Sequence, residues 1–168
     1  MIRLMKNPVQ SSGTVSFQPP NKFRREVKGN SPSITVSDGR DLWIYYPNFK
    51  SAERYPLGKG SPLDATVAAI NSALNLENIE TSFNITATRS ENGYELQLPP
   101  RTAATKRVFQ KLDLRINSEF RVERTDMLLP NGDRIVTKYS NQTRTPIAPS
   151  TFEFKPPAGT EVNTPLAQ

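Results

Sequence analysis

The sequence predicts a mainly β chain with one main helix: an incomplete antiparallel barrel in which the helix acts as lid or plug. Three observations carry this. Short runs of alternating polar and apolar residues recur, which is the period of a half-buried strand. Asp38-Gly39, Asn92-Gly93 and Asn131-Gly132 stand between such runs as tight hairpin turns. From Pro62 to Leu74 the apolar residues change to spacings of three and four, the period of an amphipathic helix.

Taken in order, Thr14 to Gln18 is the first strand, with Val15 and Phe17 on one face. Pro19-Pro20-Asn21 turns the chain into a second strand, Phe23 to Lys28, with Phe23 and Val27 on one face. Ser33 to Ser37 is a third strand carrying Ile34 and Val36. Leu42 to Tyr46 is a fourth, stopped by Pro47. Within it Trp43 and Tyr45 share one face, and Ile44 and Tyr46 the other. Ala52 to Leu57 is a fifth. The helix follows, with Ser61 as N-cap, Pro62 in its first turn and Leu63, Val67, Ile70 and Leu74 on its apolar side. Strands then resume at Thr81–Thr88, Tyr94–Leu98, Phe109–Ile116, Phe120–Leu128, Arg134–Ser140 and Thr151–Phe154. Tight turns join consecutive strands, so the sheet meanders and is antiparallel. A sheet of this many strands must curl, and an open barrel has an inner face that side chains, a helix or a ligand must fill. Residues 1–162 read as one domain, with 163–168 a flexible tail.

Composition excludes several chemistries. The chain has 168 residues and neither Cys nor His. Disulfides, thiolate metal sites and Ser-His-Asp or Cys-His nucleophiles are therefore absent. No phosphate loop, dinucleotide fingerprint or EF-hand occurs. The Asp residues fall mostly in turns and caps, where Asp has a structural role. A carboxylate-based hydrolase is the reading from another class, and an inward carboxylate pair in a polar cleft is what would support it. The net charge is +6, spread from Arg3 to Lys155 and mixed with carboxylates. It favours acidic partners or simply a solvated surface. No ribonucleoprotein motif is present and only 8 % of residues are aromatic, so nucleic acid is not expected as a partner. The cluster Trp43, Tyr45, Tyr46 and Phe49 serves either core packing or an apolar ligand. Arg24 and Glu26 share a face and can pair. No stretch reaches the length of a spanning helix, and Met1 to Lys6 lack the apolar core of a secretory signal.

Three motifs in order resemble the LolA family of periplasmic lipoprotein carriers. The first is Phe17-Gln18-Pro19-Pro20-Asn21-Lys22-Phe23, similar to the family's Pro-x-x-Phe element. The second is Val36-Ser37-Asp38-Gly39 followed by Leu42-Trp43-Ile44-Tyr45 and Pro47. The third is Phe152-Glu153-Phe154-Lys155-Pro156-Pro157-Ala158-Gly159-Thr160-Glu161-Val162, a complete match to Phe-x-Phe-x-Pro-Pro-x-Gly-x-x-Val. The resemblance implies an open, twisted antiparallel β-barrel, or half-barrel, with a helical lid over a hydrophobic cavity. It implies a non-enzymatic periplasmic carrier without cofactor. The cargo would be an acylated lipoprotein or lipid, received from an inner-membrane transporter and passed to an outer-membrane receptor, by a monomer. A same-fold binding module for another lipid or glycolipid, or an envelope-stress sensor domain, is the alternative.

Cavity and lid residues are then expected at Val15, Phe17, Phe23, Val27, Ile34, Val36, Ile44, Leu63, Val67, Ile70 and Leu74. Two departures stand out. The family has a helix before the first strand pair, where this chain has fewer than a dozen residues including Pro8. Either the chain is trimmed or it keeps one lid element. The family's lipoprotein carriers also place an Arg just before the conserved Pro, and here that position is Pro19.

Overall fold

The alternating segments form strands, and the computed structural model describes residues 8–58, 76 and 79–165. Within these, β1 (Ser12–Gln18), β2 (Lys22–Lys28), β3 (Ser33–Asp38), β4 (Asp41–Tyr46) and β5 (Ser51–Pro56) form an antiparallel meander. The strands β6 (Thr86–Ser90), β7 (Gly93–Leu98), β8 (Lys111–Asn117), β9 (Val122–Leu128) and β10 (Arg134–Lys138) form a second meander. The described residues are thus mainly β, in two hydrogen-bonded sheets that do not close into a barrel. The predicted lid helix, with Leu63, Val67, Ile70 and Leu74, lies outside the described residues.

Turn chemistry sets the hairpins. Asp38 Oδ1 accepts from the backbone N–H groups of Arg40 at 2.7 Å and Asp41 at 2.8 Å, which folds the chain back around Gly39. Gly39 has φ 91°, a conformation that costs a residue without Cβ little. Pro19-Pro20 is a cis peptide in the β1–β2 turn.

The second sheet buries one face. Across it Leu96 stands opposite Leu114, Leu98 opposite Leu112 and Tyr94 opposite Ile116. These rows pack with Ile79, Phe83, Phe109 and Val122 in one buried cluster. The other face is charged. Arg115 reaches Glu95 at 2.8 Å, and Lys111 reaches Asp113 at 3.1 Å. Asp113 stands opposite Asp126, a like-charge pairing that nearby cations offset. The Arg134 guanidinium donates to Asp126 at 2.8 Å and holds its carboxyl below the ordinary value.

Several sequence expectations are corrected. Thr81–Thr88 is not one strand. A 3-10 turn spans Ile79–Thr81, Phe83 makes an isolated bridge to Pro100, and β6 begins at Thr86. Burial decides this: Phe83 is 1 % exposed, with its ring 5.9 Å from Phe109, so it dips into the core instead of continuing an edge strand. A short helix, α1 (Ala103–Val108), was not foreseen; Thr102 caps it by accepting from the Thr105 N–H at 3.1 Å.

Thr151–Phe154 is not a strand either. Pro149–Phe152 is a 3-10 turn started by Pro149, with extended chain beyond it. Finally, β11 (Glu161–Asn163) pairs parallel to β5, so Asn163 is sheet and not tail, and the first sheet ends on a parallel pair.

Candidate functional site

The first sheet has two faces of different character. Directly opposed residues point to the same side of a sheet, and successive residues to opposite sides. The register aligns Phe17, Phe23, Ser37, Leu42 and Tyr55 in one row across β1 to β5. The adjoining row is Val15, Arg25, Thr35, Ile44 and Glu53. Val27 lies beyond it, opposite Gly13 and Ser33. On this face Phe23 and Leu42 are buried, and Phe17, Tyr55 and Leu57 pack against them. Val15, Val27 and Ile44 are half-buried.

The opposite face carries Ile34, Val36, Trp43, Tyr45 and Ala52. The chain's own C-terminal segment covers it. Phe152 is 1 % exposed, and its 3-10 turn packs on β2 and β3. The Phe154 ring lies 5.5 Å from Trp43 and 5.6 Å from Tyr45. Arg54, opposite Trp43, sets its guanidinium 5.7 Å above the indole and bonds Asp41 at 3.0 Å. Arg24 pairs with Glu26 at 2.6 Å on this side, as their shared face predicts.

The predicted lining set therefore divides. Val15, Phe17, Phe23, Val27 and Ile44 share one face. Ile34 and Val36 do not: they lie on the sealed face, and Val36 is fully buried there. The reason is register. A two-residue turn at Gly39-Arg40 places Val36 opposite Trp43 and not opposite Ile44. Leu42 and Tyr55 belong to the first face and were missed. The parity of Ile44 on β4 was the signal for Leu42, and the β4–β5 register supplies Tyr55.

Polar groups stand at one margin of the apolar row. Tyr55 donates its hydroxyl to Glu53 at 2.7 Å. Burial and that bond push the Tyr55 phenol up to about 12. Burial, then the Glu53 charge, raises Tyr46 as well. Among the described residues no group of three or more Asp or Glu side chains is placed to hold a metal ion. None of their helices is long and apolar enough to cross a membrane. A cavity of about 350 Å³ lies at the β6–β7 turn, lined by Ser90, Glu91, Asn92, Arg115, Ile116 and Glu123. Its largely polar and charged wall suits no alkyl chain.

Comparison with known proteins matches this architecture. Residues 3–155 match the family described as outer membrane lipoprotein carrier protein LolA. The chain is similar to an outer-membrane lipoprotein carrier protein of Coxiella burnetii, 26 % identical over 91 % of this chain and 71 % of the relative. It is 27 % identical to one of Dechloromonas aromatica, over 94 % of this chain and 73 % of the relative. It is 29 % identical to one of Methylibium petroleiphilum, over 90 % and 72 % respectively. With the family pattern running through both meanders and into the C-terminal cover of the first sheet, the chain belongs to the LolA outer membrane lipoprotein carrier family.

Proposed function

We propose that this protein is a non-enzymatic carrier that holds the acyl chains of a lipoprotein against the Phe17–Phe23–Leu42–Tyr55 face and moves them through the periplasm. The observation that carries the reading is the asymmetry of the first sheet. One face is covered by the C-terminal segment, and the other carries Phe17, Phe23, Leu42 and Tyr55 in one row, with Ser37 between Phe23 and Leu42 and half-buried Val15, Val27 and Ile44 beside it. Family membership supports the cargo class.

The energetics suit a carrier. Burying ~15 methylenes at ~0.8 kcal/mol each is worth about 12 kcal/mol, so an acyl chain does not cross water unaided. Release requires that the surface not match the chain too closely. Half-buried Val15, Phe17, Val27 and Ile44 supply contact area beside the buried Phe23 and Leu42.

An inner-membrane transporter would load the carrier and an outer-membrane receptor would unload it. The test is recovery of the protein from its native envelope, followed by mass spectrometry of the extracted lipids. Diacylglyceryl peptides are expected. Recovery of free glycolipid or phospholipid alone would replace lipoprotein as the cargo.

A further inference from the structure

We propose that the protein docks on an anionic phospholipid bilayer through a tip at one end of the first sheet, formed by Phe49 with Lys28 and Lys50 beside it. Two neighbouring turns build the tip. One joins β2 to β3, and the other is the 3-10 turn Pro47–Phe49 between β4 and β5. The Asn48 side chain donates to the Asn30 carbonyl at 3.0 Å and ties the two turns together. The Lys50 N–H closes the 3-10 turn on the Pro47 carbonyl at 3.2 Å, and the Lys50 carbonyl accepts from the Glu161 N–H at 2.8 Å. The frame is thus braced on both flanks.

The side chains on this frame run against its stability. Phe49 is 79 % exposed, the highest value of any large hydrophobic among the described residues. Phe120, another strongly exposed ring, stacks on Tyr94 at 6.0 Å, whereas Phe49 has no ring contact among the described residues. Lys50 follows it at φ 45°, a left-handed conformation that glycine or asparagine adopts at least cost. Lys28 ends β2 and is exposed. Neither lysine has an ion pair among the described residues, and Glu161, the carboxylate at this end, pairs with neither.

A protruding ring between two free ammonium groups suits a bilayer interface. The ring enters the boundary between headgroups and acyl chains, and each ammonium meets lipid phosphate. A protein partner would need a patch of about 800 Å² on this side, several times what one ring covers. One ring and two charges give weak, reversible binding, which lets the molecule leave the membrane again. The tip lies five residues along β2 from Phe23, roughly 17 Å, so docking there leaves the Phe17–Phe23–Leu42–Tyr55 row free.

The test is flotation of the full chain with phosphatidylcholine vesicles, with and without phosphatidylglycerol, at low and raised salt. Binding is expected to the anionic vesicles and not to the neutral ones, and should weaken as salt screens it. Phe49→Ser should weaken it roughly 10-fold, and Lys28→Gln and Lys50→Gln roughly 5-fold each. Two exposed residues outside the tip serve as controls: Phe120→Ser and Lys106→Gln should bind like the unsubstituted protein. Every replaced side chain is exposed, so urea midpoints should not move and will show that each variant is folded. Absence of binding to anionic vesicles, equal binding to neutral ones, or losses in the controls as large as those in the tip variants would overturn the proposal.

Discussion

Replacing Phe152 by Ala tests whether the C-terminal segment seals one face of the first sheet. Phe152 is 1 % exposed and seated against β2 and β3. Truncating a buried Phe to Ala typically costs about 3–5 kcal/mol, part transfer and part residual cavity. That range applies to a ring so fully buried, in a segment further held by the Arg24 contact to Thr151 at 3.4 Å and by the Glu161–Asn163 pairing. The neighbouring Phe154 is half-buried and touches Trp43 and Tyr45 at ring distances of 5.5 and 5.6 Å, so Phe154→Ala should cost less, about 2 kcal/mol. Urea unfolding reads both. With a slope near 2 kcal/mol per molar, Phe152→Ala should move the midpoint down by about 2 M and Phe154→Ala by about 1 M. Trp43 is the sole tryptophan, so its emission reports on this cover and should shift red in Phe154→Ala. A Phe152→Ala loss under ~1 kcal/mol, or unchanged Trp43 emission in Phe154→Ala, would refute the sealed-face account.

Two further predictions separate the faces. Phe17→Ala, on the face proposed to hold acyl chains, should weaken acyl-chain binding about 10- to 100-fold, the equivalent of about 1.5–3 kcal/mol of apolar contact. Val36→Ala, on the sealed face, should cost about 2 kcal/mol of stability and leave acyl affinity unchanged; equal affinity losses in the two variants would sink the assignment. Tyr55 gives a pH signature. Its folded value of about 12 lies above the ordinary 10.0, so its contribution to stability is complete below pH 10.0 and disappears as pH rises toward 12. Alkaline unfolding midpoints should therefore show a steeper decline in the unsubstituted protein than in Tyr55→Phe, and identical slopes would exclude the Tyr55–Glu53 bond as the cause.

Much of this fold is legible locally, because strands and tight turns are encoded by neighbouring residues. Alternation located β1 to β5 and β7 to β10, and Asp38-Gly39, Asn92-Gly93 and Asn131-Gly132 located three of the reversals, those before β4, β7 and β10. What escaped depends on partners distant in sequence. Phe83 leaves an otherwise alternating run because Phe109 and the apolar rows of β7 and β8 draw it inward. Phe152 and Phe154 alternate like a strand, yet their segment pairs with no other among the described residues. Both rings turn toward the face of β2 to β4, and the next hydrogen-bonded pairing waits until Glu161 meets β5. The helix α1 has too few apolar residues for its period to register.

The candidate site shows the same division one level up. Each strand's two faces were correctly separated, but joining faces across strands needs the number of residues in every turn. Gln18 stands opposite Lys22 across three residues, so odd-numbered Phe17 and Phe23 share a side. Between β3 and β4 the turn has two residues, and parity reverses: Val36 goes with Trp43, and Ser37 with Leu42. Carrying that count through moves Ile34 and Val36 to the side covered by the C-terminal segment and brings Leu42 and Tyr55 to the other, with Phe17 and Phe23. The exchange strengthens the functional argument. A sheet whose apolar residues were shared evenly between its faces would offer no reason to choose a binding surface. Here the protein's own Phe152 and Phe154 occupy one side, and the carrier reading places the acyl chain on the other, where Phe17, Phe23, Leu42 and Tyr55 meet.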